Sequence, residues 1–261
     1  MKHLAKKRFG QNFLTDQAII ASLIDAINPQ SNDLLVEIGP GLGALTKPLL
    51  KKIDHLHVVE IDRDIVSWMQ KEYLNTSITI HNVDALKFDF SQLVESKNSN
   101  QLRVTGNLPY NISTPILFHL LDNLPCITDM HFMLQKEVVE RMVALPSTPA
   151  YGRLSVMLQY HLQMEYLITV PPEAFEPAPK VESAFVRCVP HTTLPFVAKD
   201  TALFAKIVMA AFGQRRKTIR NTLKDFLNDD DFVLLGLNPQ LRAENLSVKS
   251  FVEISNYCLS R

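Results

Sequence analysis

Leu34-Leu35-Val36-Glu37-Ile38-Gly39-Pro40-Gly41-Leu42-Gly43 is the stretch that decides the fold of this chain. A short apolar run with a single acid leads straight into alternating glycines. That is a buried strand ending in a turn whose backbone can approach a ligand with no Cβ in the way. The same punctuation recurs further along. Leu56–Ile61 ends in Glu60-Ile61-Asp62, Ile78–Val83 ends in Asp84-Ala85-Leu86, and Leu102–Gly106 runs into Asn107-Leu108-Pro109-Tyr110. Helices are predicted over 43–52, 62–73 and 113–121, a loop after the third strand, and a fifth strand over Met130–Gln135. This alternation predicts an α/β fold with a mostly parallel, doubly wound sheet. Such sheets bind ligands at the carboxyl ends of their strands, so the four tips converge on one cleft.

Upstream, Thr15 or Asp16 caps a helix running to Ile27, with apolar residues at Ile19, Ile20, Leu23, Ile24 and Ile27. Downstream, Glu137–Val143 and Tyr151–Met164 read as helices, and Leu167–Val170 and Ala184–Val189 as late strands flanking a proline-rich loop. Around His191–Pro195 the pattern becomes a linker and then wholly helical. Two domains follow: residues 1–190, and a small all-helical one over 191–261.

The tips carry a consistent chemistry. Gly39, Gly41 and Gly43 follow the spacing GxGxG rather than the GxGxxG of a dinucleotide site, and acidic Glu37 leads them. A carboxylate there suits a ligand with a positive centre and an amino-acid tail better than a pyrophosphate. Glu60 ends the second strand, where an acid accepts hydrogen bonds from ribose hydroxyls; Asp84 ends the third, where a carboxylate accepts from an adenine amine. Singly, each has a plainer reading: a tight corner, a surface charge, a turn cap. Together they describe S-adenosylmethionine.

Asn107-Leu108-Pro109-Tyr110 then offers what an exocyclic base amine needs. Its lone pair is delocalised into the ring, and two acceptors taking both hydrogens favour a pyramidal nitrogen. The Asn107 side-chain oxygen with the Leu108 or Pro109 carbonyl supplies them, on a turn that proline stiffens. Tyr110 provides a ring on which a flipped base stacks. In Pro171-Pro172-Glu173-Ala174-Phe175-Glu176-Pro177-Ala178-Pro179-Lys180 the one aromatic is Phe175. It is either a core residue or a lid closing on the base against Tyr110. Asn107, Leu108, Pro109, Tyr110 and Phe175 form the candidate catalytic set.

Bulk properties narrow the class. The chain has 261 residues, formal net charge +0 and 21% charged residues, so any nucleic-acid contact rests on local patches. Cys126, Cys188 and Cys258 are scattered with no CxxC pair, which fits a reducing cytoplasm and predicts neither disulfide frame nor zinc site. His55 and His57 lie two apart on a strand, read as a solvated strand face rather than a metal pair. No metal is expected. The first residues are basic, with no signal peptide, and no apolar run spans a bilayer. A cytoplasmic monomer is expected.

These residues resemble a known family. Phe9-Gly10-Gln11-Asn12-Phe13-Leu14, the Glu37–Gly43 turn, Asn107–Tyr110, Phe175–Ser183 and Gln214-Arg215-Arg216-Lys217-Thr218-Ile219-Arg220-Asn221 are together similar to the small-subunit (16S) ribosomal RNA adenine N6,N6-dimethyltransferases. The resemblance runs nearly end to end. It implies a Rossmann-like S-adenosylmethionine-dependent methyltransferase domain with a small helical domain behind it. It implies cofactor contacts at Asn12, Leu14, Gly39, Glu60, Asp84 and Asn107. It implies dimethylation of two adjacent adenosines in a hairpin loop near the 3′ end of 16S rRNA, on an assembling small subunit.

In Gln214–Asn228, Arg216, Arg220 and Lys224 recur every fourth residue, opposite Ile219, Leu223, Phe226 and Leu227. The period predicts an amphipathic helix with a basic stripe. With Arg215, Lys217 and the basic N-terminus (Lys2, Lys6, Lys7, Arg8) it is expected to grip rRNA phosphates. Two rival readings are a resistance-type 23S rRNA adenine methylase, which shares the glycine turn, the NxPY-like tip and the proline-rich aromatic loop, and a non-catalytic ribosome-assembly or RNA-binding factor; a DNA adenine methylase is a weaker third, since nothing in the chain resembles a duplex-DNA reading domain.

Overall fold

The computed structural model describes residues 11–97 and 101–261. The basic residues Lys2, Lys6, Lys7 and Arg8, with Phe9 and Gly10, lie outside the described residues. The chain opens with β1 (Phe13–Leu14) and α1 (Gln17–Ile27). It then alternates through β2 (Leu34–Ile38), α2 (Thr46–Leu49), β3 (Leu56–Val59), α3 (Arg63–Glu72), β4 (Ile78–His81), α4 (Ser91–Lys97), β5 (Leu102–Asn107) and α5 (Ser113–Leu121). There follow β6 (Ile127–Gln135), α6 (Lys136–Val143), α7 (Arg153–Gln159), β7 (Leu162–Val170), β8 (Phe175–Glu176) and β9 (Ser183–Pro190). The remainder is helical: α8 (Thr201–Phe212), α9 (Ile219–Thr222), α10 (Asp229–Leu234) and α11 (Val248–Leu259).

The main sheet has the order β4-β3-β2-β5-β6-β9-β7. The pairs β4–β3, β3–β2, β2–β5 and β5–β6 are parallel, and β9 returns antiparallel to β6. After β2 the chain steps outward to β3 and β4, then recrosses to place β5 on the other side of β2. This reversal opens a crevice beyond the ends of β2 and β5. β2 is buried along its whole length, which is why it reads as a continuous apolar run. Helix α1 covers one face with Ile20, Leu23, Ile24 and Ile27. Asp16 caps it by accepting from Ala18 N and Ile19 N, and left-handed Asn28 closes it. At the far end of β5, Arg103 pairs with Asp33 (2.6 Å) and Asp129 (2.8 Å) and donates to the Ile27 carbonyl, tying β5 to β6 and α1.

Contacts divide the chain into one unit of Met1–Val139 with Glu165–Pro190 and another of Glu140–Met164 with His191–Arg261. The second unit thus takes in residues 140–164, which the expected division at 190/191 left with the first domain. The cause is packing: Tyr151, Val156 and Tyr160 share a core with Phe204, Ile207, Leu223 and Phe251. The Tyr160 hydroxyl also accepts from Ala198 N at 3.1 Å.

Other expectations need correction. The helix predicted over 43–52 is only Thr46–Leu49, because Gly43 is left-handed (φ +80°) and holds the preceding turn out of helix. The loop expected after β4 contains α4. Leu162–Met164, expected as the end of a helix, begins β7. His57 is buried rather than solvated, with its Nδ1 3.1 Å from His81 Nε2, and His55 meets the Thr79 hydroxyl. The long basic helix over Gln214–Asn228 is reduced to α9. Thr218 is extended and bridged to Arg242, while Ile219 N and Arg220 N donate to the Leu241 and Pro239 carbonyls. Those N–H groups are spent on a neighbouring loop instead of on a preceding helical turn.

Candidate active site

All four motif tips reach one cavity of about 860 Å3 in the first unit. It is bounded by the glycine turn, Glu60-Ile61, Val83–Leu86 and Asn107–Ile112, and the N-terminal segment Gln11–Thr15 forms a further wall. That volume is within the usual range for a cofactor cleft.

Gly39, Gly41 and Gly43 all have left-handed φ (65°, 54° and 80°), a conformation that costs a side-chain-bearing residue dearly. Gly39 N donates to the Val59 carbonyl and Gly43 N to the Pro40 carbonyl, so the turn is fixed against β3. A Cβ on Gly43 would lie 2.2 Å from the Tyr73 hydroxyl, and one on Gly41 would lie 3.1 Å from the Phe13 ring. Behind the turn Glu37 is 2% exposed and accepts from the Thr46 hydroxyl at 2.6 Å. Burial pushes its carboxyl up to about 7; the Thr46 hydrogen bond opposes that rise and repulsion from Glu60 adds to it.

Glu60 is also buried, and burial raises its pKa, opposed by backbone N–H groups of Asp62, Ile61 and Gly41. Asn82 donates to the Glu60 carbonyl at 2.9 Å, binding the ends of β3 and β4 together. Asp84 accepts from Leu86 N at 3.0 Å, so it does cap its turn while standing in the cavity wall. Ile61, 46% exposed, presents an apolar side chain at the same wall; its signal in sequence was an apolar residue between two acids.

At the fourth tip the Asn107 amide donates to the Asn12 carbonyl at 3.1 Å. Leu108 N donates to the Met133 carbonyl, and Leu108 is buried. The Pro109 carbonyl is occupied by Ile112 N. Of the two carbonyls that the sequence left open, Leu108's is therefore the one with no partner among the described residues. The half-buried Tyr110 has its hydroxyl 2.7 Å from that of Ser183, a contact that nothing in the spacing of the sequence announced.

Asn12 and Leu14 line the cavity as expected positions, although Leu14 is itself 5% exposed. They are held by a feature that sequence reasoning missed. β1 pairs with β8 (Phe13 with Glu176, Leu14 with Phe175), and Thr15 N donates to the Ala174 carbonyl. The same pairing accounts for a correction at Phe175. Its ring is not set against Tyr110 but lies in the hydrophobic core, 4% exposed, and it does not line the cavity. In the second unit Arg215, Arg216, Lys217, Arg220 and Lys224 are all exposed. Arg215 donates to the Pro149 carbonyl and Arg220 pairs with Asp229, whereas Arg216, Lys217 and Lys224 make no ion pair among the described residues.

The ribosomal RNA adenine dimethylase family matches residues 2–259. A ribosomal RNA small subunit methyltransferase A of Methylobacillus flagellatus is 70% identical over 257 residues, covering 98% of this chain and 99% of its own. A protein of the same name from Thiobacillus denitrificans is 56% identical, covering 99% and 100%. Among solved structures, a dimethyladenosine transferase from Plasmodium falciparum superposes with TM-score 0.75 at 23% identity, covering 93% of this chain and 95% of that one. The 23S rRNA methyltransferase ErmE superposes with TM-score 0.73 at 21% identity, covering 96% and 100%. At those identities the structures speak for the shared fold. The sequence matches settle the kinship: this chain belongs to the ribosomal RNA adenine dimethylase family.

Proposed function

We propose that this chain methylates N6 of two adjacent adenosines in a hairpin loop near the 3′ end of 16S rRNA, twice each, on an assembling small subunit in the cytoplasm. One observation carries the reading: the Asn107 amide stands at the wall of the cavity lined by the glycine turn, Glu60 and Asp84, with its N–H2 turned to Asn12. That assignment leaves Asn107 Oδ1 as an acceptor for an incoming amine.

The residues present fit S-adenosylmethionine. The left-handed glycines leave a cradle that a Cβ would spoil, and carboxylates of Glu37, Glu60 and Asp84 occupy successive strand ends. Asn12, Leu14, Gly39, Glu60, Asp84 and Asn107 would hold it. When bound, it supplies a methyl group on a positively charged sulfur. The chain's own work is to orient the amine. Asn107 Oδ1 and the Leu108 carbonyl accept the two N6 hydrogens and turn the nitrogen lone pair out of the ring plane. Tyr110 holds the flipped base by its face. Positioning and fixed dipoles then carry the catalysis, and the surplus proton leaves the nitrogen after transfer, so no side-chain base is required. The experiment is transfer of labelled methyl from S-adenosylmethionine to undermethylated small and large subunits, followed by nucleoside analysis. N6,N6-dimethyladenosine on the small subunit alone supports the reading; label on 23S rRNA, or none on either, overturns it.

The buried Glu37 predicts a pH dependence. Its pKa of about 7 lies above the ordinary 4.5, so the folded protein alone holds a proton there up to neutral pH. A cationic cofactor favours the ionised form, so binding expels that proton. Cofactor affinity is expected to rise as pH goes from 6 to 8, with proton release measurable by calorimetry in buffers of different ionisation enthalpy. Glu37→Gln should flatten both. By the same linkage, the stability associated with protonated Glu37 is complete below pH 4.5 and is lost as pH rises through 7. Glu37→Gln should therefore stabilise the cofactor-free protein at pH 8, by up to about 3 kcal/mol.

For rRNA contact, Arg216 and Lys217 are proposed as the leading phosphate ligands, since Arg215 and Arg220 already have partners. Arg216→Glu with Lys217→Glu is expected to weaken small-subunit binding and to reduce the slope of log affinity against log salt by about 2. An unchanged slope in a filter-binding titration would remove this segment from the interface.

A further inference from the structure

Ser183 begins β9, opposite Gln135 of β6, and is fully buried. Its hydroxyl lies 2.7 Å from the Tyr110 hydroxyl, and this is the hydrogen bond its side chain makes among the described residues. A buried serine hydroxyl has no water to turn to, so the two groups satisfy each other. The approach to β9 is itself held. Lys136 N donates to the Glu182 carbonyl at 3.0 Å, and the Lys136 ammonium pairs with the Glu182 carboxylate at 2.8 Å.

Tyr110 is thereby gripped at both ends. Near its backbone, the Ser113 hydroxyl donates to the Tyr110 carbonyl and Ile112 N to the Pro109 carbonyl. At the far end, Ser183 holds Oη. A phenol ring fixed only at its Cβ end is free to tilt about its two side-chain torsions, and the second anchor removes that freedom. Any tilt of the ring moves a base stacked upon it, and with it the N6 atom that must reach Asn107 Oδ1 and the Leu108 carbonyl together.

We infer that Ser183 is a positioning residue for methyl transfer: it sets the plane of Tyr110 and, through it, the plane of the target adenine. This rests on Tyr110 being the stacking platform of the proposed function. It gives a role to a residue that lies far from the tip in sequence, at the close of the proline-rich loop.

The test uses the full-length protein with Ser183→Ala, Ser183→Thr, Tyr110→Phe and the double variant Ser183→Ala with Tyr110→Phe. Four quantities are measured: thermal midpoint, cofactor dissociation constant, kcat and KM on undermethylated small subunits, and quenching of 2-aminopurine placed at the target position of a hairpin RNA. Ser183→Ala is expected to lower kcat about ten-fold and weaken the quenching, with cofactor affinity unchanged. Ser183→Thr should restore both. Tyr110→Phe breaks the same bond from the other end and should lose as much, with the double variant no worse than either single one. Wild-type kcat and quenching in Ser183→Ala, or losses that multiply in the double variant, overturn the inference. Should Ser183→Ala fail to fold, wild-type kcat and quenching in Tyr110→Phe overturn it equally. Failure of the proposed function reads differently, as a wild-type protein that methylates no small-subunit adenosine.

Discussion

Asn107→Ala is expected to reduce kcat for methyl transfer by about 10²–10³-fold, with the fold intact and the cofactor still bound by the glycine turn, Glu60 and Asp84. The substitution removes an acceptor whose position the rest of the structure fixes. Asn107 ends β5 in register with Met133, and its amide N–H2 is engaged by the Asn12 carbonyl. Its oxygen is therefore oriented before any substrate arrives. Alanine leaves the Leu108 carbonyl alone to polarise the amine, and one acceptor takes only one hydrogen. Asn107→Asp separates orientation from acceptance. It keeps an acceptor but offers the Asn12 carbonyl no donor, so a carboxylate there is repelled by the group that held the amide. It should fall between wild type and alanine. Single-turnover transfer to undermethylated small subunits, with cofactor affinity measured alongside, checks both. An alanine variant within a few-fold of wild type would remove Asn107 from the chemistry.

Gly106→Ala is expected to be strongly destabilising. A Cβ at 106 would lie 2.4 Å from the Ile38 carbonyl oxygen and 3.2 Å from the Leu108 side chain. The first of these is backbone, at the end of β2 and immediately before Gly39, and cannot rotate away. To admit the methyl, β2 and β5 must part where the sequence order of the sheet reverses, drawing the cofactor turn away from the Asn107 tip. Overpacking of this kind costs about 1–3 kcal/mol when neighbours can yield, and more against fixed backbone. The expected result is a loss of about 3 kcal/mol or more in denaturant unfolding, with cofactor affinity and methyl transfer both lost in whatever fraction still folds. A variant with wild-type Tm would mean that the two strands can separate without cost.

Much of this was legible in the sequence, for a physical reason. Central parallel strands are buried on both faces, so β2 stands out as an apolar run, and its end is marked by glycines that only a left-handed turn requires. Glu60, Asp84 and Asn107 follow from the same logic, because a parallel sheet brings every strand end to one side. What was not legible depends on partners distant in sequence. The β1–β8 pairing is only Phe13–Leu14 against Phe175–Glu176, too short for any periodicity, and it draws Phe175 into the core rather than toward Tyr110. The Ser183–Tyr110 bond joins side chains 73 residues apart. At 214–228 the period misled for a different reason. Ile219, Leu223 and Leu227 are buried, as an amphipathic helix would have them, yet the backbone donates to the loop at Pro239 and Leu241. Side-chain burial alone does not reveal where the N–H groups go.

The antiparallel return of β9 has a consequence for the newborn chain. β6 pairs with β5, which precedes it, and with β9, which is synthesised only after α6, α7, β7 and β8. A chain elongating between Val170 and Ser183 therefore carries a half-built sheet whose apolar β6 rim has open N–H and C=O groups along one side. Such a rim invites pairing with another chain. Ribosomes paused in that window should yield polypeptide that binds holdase chaperones, and release past Pro190 should end the binding, as β9 slides into place and the sheet seals itself.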